Sequence, residues 1–338
     1  MSRSSVENEI RGVLAHYGPD VESATIERYP SSGFSGAELW RLQTPRGPAC
    51  LRRWPTEHPT RERLEFIQAV LWHVDQEGFD LVPVPWETTQ HCGYVAWAER
   101  LWEVAPWRSG RADFHETPSL RKLAAAMTAL AQFHQAASSF PLPSRGPMAS
   151  EGVLRRKQRL DCLQAKGLGM LAAAARCGNW PEASARADEI IQLFHGTCDS
   201  VAALLARGAQ VQVPVQPCIR DVWHDHILFE GDQVSGIIDF GALRAECVAA
   251  DIARLLGSLV EDDIEQWRFG IAAYETVRPL SADEFFLIEV FDRSAVAMSG
   301  IQWIEWIFLD NRVFADRLAV QSRLDGILRR MRCLAQTS

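Results

Sequence analysis

The sequence predicts an α+β fold of two lobes, with a small β-rich N-terminal lobe and a larger, mainly helical C-terminal lobe. Short apolar segments separated by turn residues dominate residues 24–104, whereas long segments with helical apolar spacing follow residue 119. The chain has 338 residues, 47% of them hydrophobic, which is ample for a core in each lobe. We therefore predict an N-terminal lobe over 1–105, a hinge at about 103–106 and a C-terminal lobe over 106–338.

The predicted N-terminal lobe contains about five strands and one inserted helix, preceded by a short leading helix over 5–17. Turn residues at 44–48 separate the second strand from the third. The inserted helix covers 60–75, where Leu64, Ile67 and Leu71 recur on one helical face. The predicted strands are 24–29, 37–42 and 49–54, followed by two more from the segments 82–85, 94–97 and 101–104.

The predicted C-terminal lobe begins after an irregular stretch at 106–118. Ser119 is a suitable N-cap for the first long helix, which we expect to end at residue 137. Short strands return at 211–243 and interrupt the helical pattern. The remaining predicted helices are 151–177, 181–206, 249–260, 263–277, 282–308 and 312–335.

Composition argues against several classes of partner. The formal net charge is −8 and the chain has no long basic block, so binding to nucleic acid is disfavoured. No run of about 18 apolar residues is present, and the first residues lack the apolar region of a signal peptide, so we expect a cytoplasmic protein without membrane contact. Eight scattered cysteines without a Cys-x-x-Cys pair are typical of reduced thiols.

The run from residue 219 to residue 241 carries the chemistry of the chain. It reads Ile-Arg-Asp-Val-Trp-His-Asp-His-Ile-Leu-Phe-Glu-Gly-Asp-Gln-Val-Ser-Gly-Ile-Ile-Asp-Phe-Gly. Between Asp221 and Asp239, apolar segments flank a turn at 230–233, which predicts a β-hairpin. A hairpin returns the chain, so both carboxylates can lie at its open end. Kinase-type phosphoryl transfer needs one carboxylate for the attacking hydroxyl and one for magnesium. The alternative is two loop aspartates that cap neighbouring elements.

This run resembles that of the aminoglycoside phosphotransferase and choline kinase-like family, small-molecule kinases with a protein-kinase-like fold. The family loop reads His-Gly-Asp-x-x-x-x-Asn, and an aspartate in Ile-Asp-Phe/Trp-Gly follows. The resemblance implies that Asp221 orients the hydroxyl and accepts its proton, and that Asp239 holds Mg²⁺ or Mn²⁺. A further family aspartate falls on Asp251, for which it implies a structural contact with the catalytic-loop backbone. The order of elements is similar over nearly the whole chain, but only 219–256 matches sharply.

Two positions depart from the family pattern. Ile219 replaces the family histidine, and His226 replaces the asparagine whose amide oxygen ligates magnesium in the family. Magnesium prefers oxygen ligands, so three interpretations stay open. His226 coordinates a softer ion, or it hydrogen-bonds the loop without a metal, or it marks a weakened kinase. A metal site of His224, His226 and Asp239 is conceivable and would indicate a metal-dependent hydrolase.

The nucleotide site is expected in the N-terminal lobe. Arg52 stands where the family places a phosphate-contacting lysine, with a solvated strand-edge arginine as the alternative. Glu65 on the following helix could pair with it, with Glu62 as a rival and a plain solvated helix face as the alternative. Backbone groups of Glu103 and Val104 at the hinge are expected to bind the purine edge. The small turn at 31–36 is expected to cover the phosphates with backbone N–H groups, through Ser32, Gly33, Phe34 and Ser35.

The acceptor site is expected in the last hundred residues. Trp303 and Trp306 share a helix face, with Glu305 beside them and Asp310 and Asn311 just after. An aromatic wall with acids would suit a cationic or sugar-like acceptor, whereas core packing of both tryptophans is the alternative.

The sequence thus predicts an ATP- or GTP-dependent phosphotransferase acting on a hydroxyl of a small molecule. An aminoglycoside, a choline-like amine, an amino alcohol, homoserine and a sugar all remain open as acceptors. A nucleotide-binding pseudokinase without catalysis is the alternative, because His226 occupies the metal-ligand position. The oligomeric state is also open.

Overall fold

The computed structural model describes residues 3–29, 36–143, 146–310, 312–314 and 316–337. Contacts group the chain into two compact units. Unit 1 consists of Met1–Pro141, Asp221–Arg244 and Thr276–Arg278, and unit 2 consists of Leu142–Arg220, Ala245–Glu275 and Pro279–Ser338. The lobe boundary near residue 105 stays a prediction.

An antiparallel sheet of five strands forms the first part of unit 1, which confirms the predicted number. The strands are β1 Thr25–Tyr29, β2 Glu38–Thr44, β3 Gly47–Arg53, β4 Val95–Trp97 and β5 Arg100–Pro106, in the spatial order β1-β2-β3-β5-β4. The segment 82–85 is not one of these strands. Pro83 and Pro85 lack the N–H that a strand ladder needs, which explains why the apolar pattern there was misleading.

In the described part of unit 1, four α-helices accompany this sheet. They are α1 Arg3–Leu14, α2 Pro19–Glu22, α3 Arg61–Gln76 and α4 Leu120–Ala137. Val13 and Leu14 of α1 belong to the same core as Leu51 of β3, all fully buried. Because successive strand residues point to opposite faces, Arg52 lies on the sheet face away from this core. The predicted helix over 5–17 is α1 followed by one 3₁₀ turn, Ala15–Tyr17.

The first stretch of unit 2 is helical, as predicted. It contains α5 Glu151–Cys162, α6 Leu168–Cys177 and α7 Pro181–Gly208, with the short strands β6 Met148–Ala149, β7 Gln212–Val213 and β8 Gln216–Cys218. A π-helical turn, Leu163–Gly167, joins α5 to α6, so the predicted helix over 151–177 is continuous but not uniformly α-helical.

The predicted hairpin is present in unit 1. Strands β9 Ile227–Glu230 and β10 Gln233–Ile237 pair antiparallel through a two-residue connection. Gly231 in this connection has φ +62°, which a glycine adopts without a Cβ penalty. The Ile238 N–H donates to the His226 carbonyl oxygen over 2.9 Å and extends the pairing to the open end of the hairpin.

The rest of unit 2 is built around one long helix. Strand β11 Arg244–Glu246 leads into α8 Ala249–Leu259, α9 Ile264–Glu275, α10 Ala282–Phe308 and α11 Arg317–Gln336. Helix α10 begins at a capping box between Ser281 and Glu284 and packs against α7, α8 and α11. A Cβ on Gly300 would lie 2.6 Å from Ile190 Cγ2, so this glycine permits the close approach of α10 to α7. No helix in the described part of the chain has the length and apolarity to span a lipid bilayer.

Candidate active site

A short 3₁₀ turn, His224–His226, shapes the loop that follows Asp221. His226 Nδ1 lies 2.8 Å from the backbone carbonyl oxygen of Asp221, and Trp223 Nε1–H donates to His226 Nε2 over 2.9 Å. Because an indole nitrogen only donates and a carbonyl oxygen only accepts, these contacts assign the hydrogen to Nδ1 and the lone pair to Nε2. His226 therefore ties the backbone of Asp221 to the turn, while the side chain of Asp221 is exposed.

This arrangement favours the second of the three interpretations of His226, a hydrogen-bonding role in the loop. The Nε2 lone pair, which a metal ion would need, already accepts the Trp223 hydrogen bond. The Nε2 atom lies 3.7 Å from Asp239 Oδ2, beyond hydrogen-bonding distance. Although all three residues are described, His224, His226 and Asp239 do not form a group whose ligand atoms lie within 4.8 Å of one another. The trio predicted for a hydrolase is therefore not assembled.

Asp239 follows the hairpin and has a left-handed backbone with φ +63°, which is uncommon for a residue with a Cβ. Its Oδ1 lies 3.7 Å from Arg52 Nη1. Burial opposes ionisation of this carboxyl, but the charge of Arg52 outweighs it and brings the pKa of Asp239 below its ordinary value. Asp239 is thus a carboxylate ready to take a cation. One carboxylate, together with water and phosphate oxygens, is a ligand set that suits Mg²⁺, so Asp239 could hold this ion.

Arg52 lies between two acids. Its Nη1 is 4.0 Å from Glu103 Oε1 as well as 3.7 Å from Asp239, and its guanidinium lies 4.7 Å from the ring centroid of Trp54. Burial lowers the pKa of Arg52, but Asp239 and Glu103 outweigh it and raise the pKa above its ordinary value. Arg52 therefore carries a fixed positive charge beside the predicted metal-binding carboxylate.

The acid that accompanies Arg52 differs from the predicted one. Glu65 on α3 accepts a hydrogen bond from Tyr94 over 2.8 Å instead. Glu103 is the cross-strand neighbour of Arg52 in the pairing of β3 with β5, so the sheet register brings the two together. Gln68 on α3 donates to Glu103 Oε2 over 2.8 Å and holds the carboxylate. Burial raises the pKa of Glu103 despite the opposing effect of Arg52.

The predicted hinge residues are part of strand β5. The carbonyl oxygen of Val104 accepts a hydrogen bond from Trp86 N–H over 2.8 Å. The contacts of Glu103 in the structure are made by its side chain, whereas the prediction concerned its backbone groups. A contact of Glu103 or Val104 with a purine edge stays a prediction. Ser32, Gly33, Phe34, Ser35 and Asn311 lie outside the described residues.

In unit 2, Asp251 holds the backbone that leads to the loop. Its carboxylate accepts the N–H groups of Ile219 over 2.7 Å and Arg220 over 2.6 Å, the kind of contact expected of it from the sequence. Arg220 has φ +72° and its side chain pairs with the fully buried Glu246. The sequence carried no signal for Glu246, because its partners are distant along the chain.

The residues predicted to form an acceptor site have partners within unit 2. Trp303 is 8% exposed and packs edge-on against Trp306 with 5.2 Å between ring centroids. Arg312 lies 4.5 Å above the Trp306 ring and 3.6 Å from Asp310 Oδ2. Glu305 pairs with Arg159. These contacts favour the alternative, packing of the tryptophans within unit 2, and an acceptor role for these residues stays a prediction.

Comparison with known proteins identifies the class. A sequence model of the phosphotransferase enzyme family matches residues 27–284, which is more than half of the chain. The chain belongs to this family, and the predicted family resemblance is confirmed. Its class is that of a phosphotransferase.

Relatives in this family are named homoserine kinases. The chain is 29% identical over 185 residues to a homoserine kinase of Chelativorans sp., a match that covers 53% of this chain and 50% of that relative. It is 25% identical over 316 residues to a homoserine kinase of Allorhizobium ampelinum, covering 89% of this chain and 86% of that relative. The chain thus spans half of the first relative and most of the second.

Solved structures confirm the predicted two-lobed, protein-kinase-like α+β fold. A spectinomycin phosphotransferase solved with ADP and spectinomycin superposes with a TM-score of 0.71 at 12% identity and covers 99% of both chains. A microcompartment-associated aminopropanol kinase superposes with a TM-score of 0.64 at 15% identity, covering 98% of this chain and 96% of the other. At these identities the likeness concerns the fold alone.

Proposed function

We propose that the protein transfers the γ-phosphoryl group of ATP to a hydroxyl of a small amino alcohol or amino-acid alcohol, with homoserine as the first candidate. The observation that carries this proposal is the line of contacts in unit 1 from Arg52 through Asp239 and His226 to the backbone of Asp221. It gathers a cation, a metal-binding carboxylate and an exposed carboxylate in one unit. The homoserine kinase relatives support the choice of acceptor.

Each residue has a distinct part in the proposed reaction. Asp221 orients the acceptor hydroxyl and takes its proton as the new phosphorus–oxygen bond forms and the bond from that phosphorus to the leaving ADP oxygen breaks. Arg52 neutralises phosphate oxygens, and Asp239 would hold the divalent ion, which supplies charge stabilisation for the transferred group when bound. Glu103 and His226 keep Arg52 and the loop in position. Most of the rate enhancement is expected from positioning and charge, because this reaction needs little covalent participation by the protein.

The test is phosphotransfer by wild type and by Asp221→Asn, measured as ADP release with homoserine, 3-aminopropan-1-ol, choline and an aminoglycoside. We expect turnover with one of these acceptors and a loss of about 10²-fold or more in Asp221→Asn. A thermal-shift titration with ATP or GTP and Mg²⁺ or Mn²⁺ accompanies it, and the metal-dependent shift should disappear in Asp239→Ala. Full activity of Asp221→Asn would contradict the proposed role of this residue.

A pseudokinase is the second candidate, and one observation favours it. Because Trp223 already donates to His226 Nε2, the family's second metal-ligand position offers no free atom here, and Asp239 remains as the ligand. A pseudokinase would show the nucleotide-dependent thermal shift with no ADP release for any acceptor. Turnover that is lost in Asp221→Asn would exclude it.

A further inference from the structure

The sheet face that carries Arg52 also carries a second arginine, Arg41. In the pairing of β2 with β3, Leu39 lies opposite Arg52 and Arg41 lies opposite Cys50. In the pairing of β3 with β5, Cys50 lies opposite Ala105. Because paired residues share a face, as do residues two apart in a strand, Arg41 and Arg52 lie on one face, about 7 Å apart along the strand direction.

An aromatic pair holds Arg41. Its guanidinium carbon lies 5.0 Å from the centroid of the Trp107 ring, and Trp107 packs edge-on against Tyr29 with 5.0 Å between ring centroids. The Trp107 N–H donates to the Pro48 carbonyl oxygen over 3.0 Å and continues the pairing of β5 with β3, so Trp107 is on the same face as Ala105. All of these residues belong to unit 1. An aromatic ring covers the flat face of a guanidinium and leaves the N–H groups at its edge.

Arg41 has no acidic partner among the residues that the structure describes. Glu27 is its neighbour on β1 by register, but the two form no ion pair. Arg52, in contrast, has Glu103 at 4.0 Å and Asp239 at 3.7 Å. Within the described ranges, the buried Nε of Arg41 also lacks a hydrogen-bond partner. A buried donor without a partner is unfavourable, so this position is suited to a ligand that accepts hydrogen bonds.

Packing leaves one direction along β3 for the base of a nucleotide whose phosphates lie at Arg52. Beyond Arg52, Trp54 is 3% exposed and a Cβ on Gly241 would lie 3.3 Å from its ring, so this end is filled. In the other direction lie the partly exposed side chains of Leu39 and Cys50. Burial raises the pKa of Cys50 to about 11, so its thiol is neutral at pH 7. An uncharged surface of this kind suits the flat face of a purine.

We propose that Arg41 recognises the purine of the nucleotide and makes GTP a phosphoryl donor at least equal to ATP. Guanine presents two acceptors, N7 and O6, to an arginine, whereas adenine presents N7 and an amino group that donates. The N–H edge of Arg41 therefore binds guanine through two hydrogen bonds and adenine through one. This inference rests on the proposed function and concerns the nucleotide that supplies the phosphoryl group.

The experiment compares kcat/KM for ATP, GTP and ITP, with saturating homoserine, in wild type and in Arg41→Met. ITP keeps the O6 and N7 atoms of GTP but lacks the 2-amino group, so it isolates the contact with Arg41. In the wild type we expect GTP and ITP to equal or exceed ATP. Arg41→Met keeps an apolar side chain beside Trp107. It should lower kcat/KM for GTP and ITP by about tenfold, while the value for ATP stays within about twofold.

Arg46→Met is the matched control. Arg46 also lies over a tryptophan, 5.6 Å from the centroid of the Trp86 ring, but Trp86 packs against the core on the opposite face of the sheet. All three kcat/KM values should therefore stay unchanged in this variant. Thermal unfolding shows whether Arg41→Met remains folded. Because the Nε that it removes has no partner, we expect its melting temperature not to fall.

Three results overturn the inference. A wild-type kcat/KM lower for GTP and ITP than for ATP would show that Arg41 does not favour O6. An equal fall for all three nucleotides in Arg41→Met would show that Arg41 contacts a phosphate, which they share. Unchanged values in a folded Arg41→Met would leave Arg41 as a packing residue beside Trp107.

A binding measurement separates this inference from the proposed function. Calorimetric titration of GDP, IDP and ADP with Mg²⁺ needs neither an acceptor nor turnover. If GDP and IDP bind at least as tightly as ADP and bind about tenfold more weakly to Arg41→Met, the inference holds even if no acceptor is phosphorylated. Turnover with ATP that is lost in Asp221→Asn, without turnover of GTP, overturns the inference but leaves phosphotransfer intact.

Discussion

Replacing Glu103 by glutamine should weaken ATP binding without weakening the fold. At the 4.0 Å between Arg52 Nη1 and Glu103 Oε1, the gross Coulomb attraction is about 4 kcal/mol at an effective dielectric constant of about 20. Burial disfavours the charged carboxylate by more than this attraction favours it, since the pKa of Glu103 is raised. The charged form is therefore less favourable in the folded state than in the unfolded chain. We expect Glu103→Gln to be between unchanged and about 1 kcal/mol more stable at pH 7.

The pH dependence has a definite sign. A carboxyl whose folded-state pKa is raised binds its proton more tightly in the folded state, so its contribution to stability falls as pH rises above the unfolded value of about 4.3. Glutamine does not titrate. The difference in free energy of unfolding should therefore shift in favour of Glu103→Gln between pH 4 and pH 7.

Nucleotide affinity should fall in Glu103→Gln, although the stability of the fold should not. Without the Glu103 charge, Arg52 keeps a single acidic partner, Asp239 at 3.7 Å, which is also the carboxylate proposed for the metal. Arg52 would then be drawn toward Asp239 and compete with the divalent ion. We expect KM for ATP to rise about tenfold, equivalent to about 1.4 kcal/mol.

The assay combines urea denaturation at pH 4 and pH 7 with ATP and Mg²⁺ titrations of activity. Glu65→Gln is the control, because Glu65 is the partner that the sequence suggested for Arg52 and the structure instead pairs it with Tyr94. A larger effect of Glu65→Gln on KM for ATP would refute the reasoning. So would a loss of more than about 2 kcal/mol of stability in Glu103→Gln with an unchanged KM.

Three further predictions concern the loop and the long helix. His226→Ala should lower kcat by about 10-fold or more, whereas His226→Asn, whose amide can still donate to the Asp221 carbonyl, should stay within a few-fold of wild type in steady-state assays. Arg220→Gly should relieve about 1 kcal/mol of backbone strain but leave the buried Glu246 without its cation, for a net loss of about 2 kcal/mol in urea denaturation. Ser281→Ala should remove the α10 cap and lower stability by about 1 kcal/mol with KM values unchanged, as thermal and kinetic measurements would show.

The parts of the fold that were predictable are those set by local pattern. The bounds predicted for the helix at 282–308 match helix α10, and the hairpin between Asp221 and Asp239 lies where its turn residues indicated. The contacts of Glu103 and Glu246 were not predictable. Each depends on a partner many positions away, fixed by strand register or helix packing, and a single sequence carries no signal for such a pairing.

The tautomer of His226 explains how the loop at Asp221 is held although the family asparagine, with its oxygen ligand, is absent. The sequence could show that an oxygen ligand was lost at this position, but not that Trp223 would supply a donor to Nε2. With Nε2 accepting from that indole, Nδ1–H is directed to the Asp221 carbonyl, and the loop is held without a metal. Charge at the site then rests on Asp239 and Arg52, which already neutralise each other at 3.7 Å. If the proposed nucleotide–metal complex binds here, we expect it to separate this pair, and the metal dependence of nucleotide affinity then reports on the Arg52–Asp239 contact.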